Sequence, residues 1–295
     1  MTYPAAVPPV ERPTAARRVW RGFAGLRRSK VALIGIVIIL FWVLVALFAP
    51  LIAPLPPNAT IIPMLPPGAA RPGGGAFLLG TDHLGRDILS RIIWGARTVL
   101  FYAPAATLSA YLVGVLGGLV SGYKQGWIDE LLSRCGDLVL AFPAIVLYIS
   151  IIAKFGASGF NIILAVTVAS APGIMRIVRG LVLDLRNRAY VAAAKTRGES
   201  VWWIMFVEIL PNARGPLIVD FCLRLGYTMI TIGTLGFLGI GLPPPNPDWG
   251  GMINETRQFA MVFPHMVVFP CLAISSLVLG CNLLADGLRE LALRV

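Results

Sequence analysis

Charge is scarce in this 295-residue chain: 13% of its residues are charged and 57% are hydrophobic. Ordinary globular domains carry roughly 25% and 45–50%. A surplus of that size cannot be buried in one soluble core of this length, so lipid is its natural solvent. Acids are scarcer still, 14 against 25 lysines and arginines, for a net charge of +11. The basic residues form no aromatic-interleaved patch, which argues against nucleic acid as a partner. They stand in blocks between apolar runs and suit the anionic inner face of a membrane, with lipid as the partner. The only two histidines, His83 and His265, lie far apart with no cysteine cluster nearby, so no metal site is expected. The four cysteines, Cys135, Cys222, Cys271 and Cys281, show no C-x-x-C spacing and read as reduced, buried thiols. No Gly-Lys dipeptide occurs anywhere, which excludes a G-x-x-x-x-G-K-[ST] phosphate loop and with it ATP hydrolysis by that route. Residues 48–51 offer no small-x-small cleavage site, and the preceding apolar run is about twice a signal core in length, so no cleavable signal peptide is expected.

Six apolar runs are present, and a spanning helix needs about 20 such residues. They cover 31–53, 98–123, 138–153, 155–175, 225–242 and 266–285. The second carries a Gly114-x-x-Gly117-Gly118 face that permits close helix contact. The expected fold is an all-α membrane protein of six transmembrane helices. A basic block, Arg12, Arg17, Arg18, Arg21, Arg27, Arg28 and Lys30, is opposed only by Glu11 and precedes the first run. Such a block is held on the cytoplasmic side. With six spans both termini are then cytoplasmic, and so is the connection 176–216, with seven basic residues against three acids. The expected organisation is a basic N-terminus 1–30, a first span 31–53, an external loop 54–97, a five-helix core 98–286 and a C-terminus 287–295. Asp220 and Arg224 share a helix face. They can be an intramembrane functional pair or mark the inner boundary of the fifth span; the second is plainer, since 225–242 is long enough alone.

Two segments are not membrane filler. The first is Gly80-Thr81-Asp82-His83-Leu84-Gly85-Arg86-Asp87-Ile88-Leu89-Ser90-Arg91, continuing to Gly95 and Arg97. The Pro/Gly-rich stretch before it must be a loop. Asp82–Arg86 and Asp87–Arg91 stand at i, i+4 in the favourable order, so a short ion-paired helix capped by Thr81 or Asp82 is expected. The second is the alanine-rich run at Ala192, Ala193 and Ala194, followed by Gly198, two tryptophans and Ile209-Leu210-Pro211. A short helix with a small-residue face and basic neighbours suits docking in a partner's groove.

With both motifs in view, the chain resembles the C-type inner-membrane permeases of dipeptide, oligopeptide and nickel ABC importers. The pattern G-T-D-x-x-G-R-D-x-x-S-R-x-x-x-G-x-R is matched at Gly80, Thr81, Asp82, Gly85, Arg86, Asp87, Ser90, Arg91, Gly95 and Arg97. The inner-loop signature is matched at Ala193, Ala194, Gly198, Ile209, Leu210 and Pro211, with Ala192 standing where the family has glutamate. The resemblance implies a type I importer permease fold in the bacterial inner membrane, with 176–216 holding a helix that couples to the ATPase. It implies a homologous permease as heterodimer partner, two ABC ATPase subunits carrying ATP and Mg, and a periplasmic or extracellular solute-binding protein. This chain itself would hold no cofactor and would not be an enzyme. A secondary transporter would need ionisable groups or broken helices at mid-membrane, and a membrane enzyme would need clustered nucleophiles or ligands at one depth. A membrane anchor without a path would be separated from a permease by uptake.

Overall fold

The computed structural model describes residues 29–293, with side chains to residue 290. The basic block before Ser29 lies outside the described residues; only Lys30 of it is seen. The helices of eight or more residues are α1 Lys30–Leu47, α2 Ile88–Lys124, α3 Gly126–Leu140, α4 Ala144–Phe155, α5 Gly159–Leu185, α6 Ala189–Thr196, α7 Val201–Phe237, α8 Trp249–Thr256 and α9 His265–Leu293. Among the described residues the only sheet is a two-stranded ribbon, β1 Ala69–Ala70 with β2 Ala76–Phe77, in the loop after α1. Five helices (α1, α2, α5, α7 and α9) are long and apolar enough to cross a membrane, and the bent pair α3–α4 brings the number to six if it is counted as one broken span.

Three boundaries differ from the sequence expectation, each for a visible reason. The run 138–153 is not one helix. Pro143 lacks an N–H and restricts Phe142 to extended backbone, so α3 ends at Leu140 and α4 restarts at Ala144, bent by 88°. Helix α5 runs on past Met175 to Leu185, because Arg176 and Arg179 are paired across to Asp137 and Asp129 of α3, at 2.5 and 2.6 Å. Helices α2 and α7 are each 37 residues long, about 55 Å and well beyond the roughly 30 Å hydrocarbon core. The fifth run is therefore only the last part of α7, and residues 88–97, expected as part of a short helix leading from the external segment into the second span, are the first turns of α2 itself.

The most extensive helix pairing joins α2 to α5. Gly114, Gly118 and Gly122, at i, i+4, i+8, form a groove in α2 that receives Ile174, Val178 and Val182 of α5. A Cβ added at these glycines would stand 2.6, 2.5 and 2.8 Å from the Cβ atoms of those three residues. Helix α1 packs on α9 in the same way, with Gly35 against the backbone of Gly280 and Leu284, and Trp42 Nε1 donates to Ser276 Oγ at 2.9 Å. Replacing Gly118 by valine should lower stability by at least about 2 kcal/mol, because the seam is overpacked. Gly180→Ala, where a Cβ meets nothing within 4 Å on the exposed side of α5, should be neutral or stabilising by up to about 1 kcal/mol. Thermal unfolding in detergent compares the two.

Candidate functional site

The two motifs lie toward opposite ends of α2, whose axis is about 55 Å long. At the Ile88 end, residues 81–87 are not helical. Thr81 pairs with Asp87 and Thr60 with Arg86 as antiparallel bridges, so the expected short helix is instead a tight turn. Gly85 supplies its left-handed backbone, at φ +81°. Asp82 accepts from the N–H groups of Leu84 and Arg86, both at 2.9 Å, and from Arg86 Nε at 2.5 Å. Asp87, rather than Thr81 or Asp82, caps α2: it accepts from Ser90 N at 2.8 Å and from Ser90 Oγ at 2.6 Å. Ser90 Oγ accepts in turn from Leu55 N at 3.1 Å. Thr81 Oγ1 donates to the Ile62 carbonyl at 2.7 Å and accepts from Leu65 N at 2.9 Å.

Arg86 reaches across the fold to Glu255 of α8, and Arg91 Nε stands 4.0 Å from Asp82. The expected Asp87–Arg91 pair is absent, since Asp87 is spent on the cap. Gly95 leaves room for Trp249, whose Nε1 donates to the Ile92 carbonyl at 3.0 Å. Arg97 lies over the Trp94 ring at 5.1 Å. Thr81, Asp82, Arg86, Asp87, Ser90 and Arg91 are all buried, and most of the motif's polar groups are bonded inside the chain, knotting the loop to α2 and α8, while His83 Nδ1 and Arg91 Nε are buried without a hydrogen bond. Asp82, His83 and Glu255 do bring ligand-type atoms within 4.8 Å of one another. Arg86 already pairs with both carboxylates, and its charge opposes a cation there.

Beside this knot, Asp248 caps α8 by accepting from Gly251 N at 3.0 Å. Burial pushes its carboxyl up to about 6, against the lowering pull of the Gly251 and Gly250 amides and of Arg91.

At the other end, α6 packs Val191 and Ala194 into a core made with Ile204, Met205 and Ile209. It turns Ala192, Ala193, Lys195 and Thr196 outward. Gly198 ends it at φ +77°, its N–H bonded to the Lys195 carbonyl at 3.0 Å. A Cβ there meets nothing within 4 Å, so glycine is required by backbone conformation and not by space inside the chain. Of the signature residues, Ala192, Ala193, Gly198 and Pro211 face outward. Ala194 and Ile209 are buried and Leu210 is half-buried, so these three hold the helix in place. Pro211 is no stop: a π-helical turn at Ile204–Ile209 leads straight into Leu210 and the rest of α7.

These features belong to a class of transport component. The family profile described as "Binding-protein-dependent transport system inner membrane component" matches residues 114–294, and the chain belongs to that family, the ABC importer permeases. A second profile, "N-terminal TM domain of oligopeptide transport permease C", matches residues 14–67. The chain is similar to the dipeptide transport system permease protein DppC of Haemophilus influenzae, 40% identical over 90% of each chain. It is also similar to DppC of Alkalihalophilus pseudofirmus, 38% identical over 97% of this chain and 93% of the relative. The glutathione transport system permease protein GsiD of Pectobacterium atrosepticum is 38% identical over 96% of this chain and 93% of its own length. The protein is thus a multi-pass inner-membrane permease of a binding-protein-dependent transport system.

Sequence reading missed Trp249, Glu255 and Asp248 as partners of the first motif. They lie some 150 residues further on, and no local spacing signals them.

Two outcomes test this end of the molecule. Arg86→Asp would leave three carboxylates in one buried site; a loss of about 3–5 kcal/mol is expected, read as lower yield and melting temperature in detergent. Asp248 holds its proton in the folded state but loses it from the unfolded chain between about pH 4 and 6. Stability should therefore fall as pH rises through that window and level off above it, by about 3 kcal/mol in all. Asp248→Asn, which keeps an acceptor for the Gly251 amide, should flatten that part of the pH profile.

Proposed function

We propose that this chain is one permease of a heterodimeric importer for peptides or related small solutes such as glutathione. The names of its relatives support that solute class. A homologous permease completes the translocation path, and two ATPase subunits, carrying ATP and Mg, dock on the face that holds α6. A periplasmic or extracellular solute-binding protein delivers cargo at the opposite face, and both termini lie in the cytoplasm, as the basic block before α1 favours. This chain contributes no nucleotide site and catalyses no reaction itself.

The observation that carries the reading is α6. Its outer face is small and exposed, while its inner face is locked by Val191 and Ala194 to the start of α7. A partner seated on Ala192 and Ala193 therefore pushes on a rigid part of the bundle and not on a loop. Closure of the ATPases would shift α6 and α7 together between two discrete packings, which is what alternating access requires. With alanine at position 192, docking relies on shape in place of the family's carboxylate.

The test is a mild-detergent pull-down of the tagged chain from its native membrane. Wild type should bring down a second permease and an active ATPase. Gly198→Arg, which forces a β-carbon into left-handed backbone and adds a bulky cation to the docking face, should lose at least about tenfold of the ATPase yet retain the permease. Ala192→Glu should keep both. Elution of the wild-type chain alone and inert would defeat the importer reading.

A further inference from the structure

A polar stripe runs along α7 where an apolar surface is expected. Asp220, Arg224, Tyr227 and Thr231 succeed one another at i, i+4, i+7 and i+11, so they share one face. Arg224 lies about 20 Å along the axis from the Phe237 end of α7 and about 35 Å from the Val201 end. That depth falls within a hydrocarbon core of roughly 30 Å reached from the Phe237 side. Tyr227 is exposed on this face, and Arg224 and Thr231 are only half-buried. An uncovered guanidinium facing lipid at such depth is costly, so the face must border water or protein.

The stripe opens into a cavity of about 190 Å³ lined by Thr107, Tyr148, Ser170, Arg224, Tyr227 and Thr231. Four elements build it: α2, α4, α5 and α7. One of them, α4, is the shorter half of the bent pair interrupted at Pro143, and such discontinuous membrane helices commonly border midplane binding sites.

The arginine is held for presentation. Asp220 accepts from Arg224 Nε at 2.8 Å, and the buried Tyr111 hydroxyl donates to the same carboxylate oxygen. The guanidinium is anchored through Nε to Asp220 and also interacts with the Tyr111 hydroxyl, and it directs Nη1 and Nη2 toward α5. Those two nitrogens lie over Gly173 of α5, where even a Cβ would stand 3.6 and 3.5 Å away. A fork of N–H donors in a low-dielectric, hydroxyl-lined cavity is the complement of a carboxylate.

The geometry points to a transit site for carboxylate-bearing solutes in which Arg224 binds the carboxylate and Asp220, held by Tyr111, positions Arg224. This rests on the importer reading above and adds the cargo chemistry and the residue that meets it. The Asp220–Arg224 pair is then neither a span boundary nor an inert ion pair.

The test uses the assembled transporter in membranes with Thr231→Cys as reporter and Cys135, Cys222 and Cys271 replaced by alanine; Cys281 is buried and stays. The same protein without the reporter gives the background. A sulfonate-bearing thiosulfonate reagent should modify the reporter roughly fivefold or more faster than its quaternary ammonium counterpart. Adding Arg224→Gln should bring the ratio near one, and Arg224→Lys should restore it. Millimolar Ala-Ala should slow the labelling, and its C-terminal amide should not. Equal rates with Arg224 present, a preference for the cationic reagent, or no reaction with either would overturn the site, the last by showing the face sealed against lipid or the partner permease. Protection by both peptides alike, or by neither, would overturn carboxylate recognition. A wild-type chain that carries no ATPase sinks the importer reading whatever the ratio, whereas an unselective reporter in an ATPase-bearing complex sinks only the Arg224 assignment.

Discussion

Close approach of α2 and α5 is the constraint on which the rest of the bundle depends. Between helices in lipid there is no hydrophobic drive, and association rests on van der Waals packing and on hydrogen bonds. Gly114, Gly118 and Gly122 remove three side chains from one face of α2, and Ile174, Val178 and Val182 fill the vacated groove. β-branched knobs suit such a seam, because their single preferred helical rotamer is already the packed one. With α2 fixed to α5, its two ends become fixed points. One carries the Asp82–Arg86 knot, and the other places Lys124 and Tyr123 against Trp202 and Lys195, at 6.0 and 5.5 Å.

The buried charges at the Ile88 end follow a different logic. Asp82 and Glu255 carry two negative charges beside Arg86 and Arg91, so the group is balanced, and the Asp82 oxygens also take backbone N–H bonds. Removing both members of such a pair is often harmless, whereas removing one strands a charge. The knot specifies which of many possible paths the Pro/Gly-rich loop after α1 takes. It also fixes α8 across the mouth of α2, through Trp249 and Glu255. A loop of that length without such ties would be free to wander over the bundle.

The apolar runs and the first glycine face were legible in the sequence, because period and composition report directly on lipid-facing helices. What the sequence hid was mostly the cancellation of charge. Arg91, Arg176 and Arg179 look like helix ends, yet each sits inside a helix. Arg176 and Arg179 have carboxylate partners on α3, and Arg91 is buried near Asp82 while its Nη1 reaches the Pro57 carbonyl and Asn58 at 3.4 Å. The opposite error came at Pro143, where apolarity runs through a residue that the backbone cannot run through. The motif residues were legible as a group, but their roles were not. Asp87 and Arg91 share spacing with Asp82 and Arg86, and only the fold shows that Asp87 serves the helix cap. Asp220 and Arg224 were visible as a pair; their depth was not, because the true length of α7 was hidden by Pro211.

That proline is the key to how the two ends of the molecule communicate. In regular α geometry Pro211 would lack a donor and its ring would strike the carbonyl four residues back, kinking or ending the helix. The π turn absorbs the collision: the Leu210 N–H reaches back five residues to the Met205 carbonyl, and the wider turn lets the proline in without a break. Helix α7 therefore runs on from the core beneath α6, past Arg224, to Gly236 under Asp248. A displacement applied at α6 would meet no loop before it reaches Arg224, although Pro216 removes one rung of the hydrogen-bond ladder on the way. The sharpest break in helical backbone lies elsewhere, at the 88° bend between α3 and α4. There the hydrogen-bond ladder is interrupted and one wall of the polar cavity, Tyr148, is attached. On the proposed coupling, continuous α7 on one side and bent α4 on the other would give the cavity one wall that is driven and one that can yield.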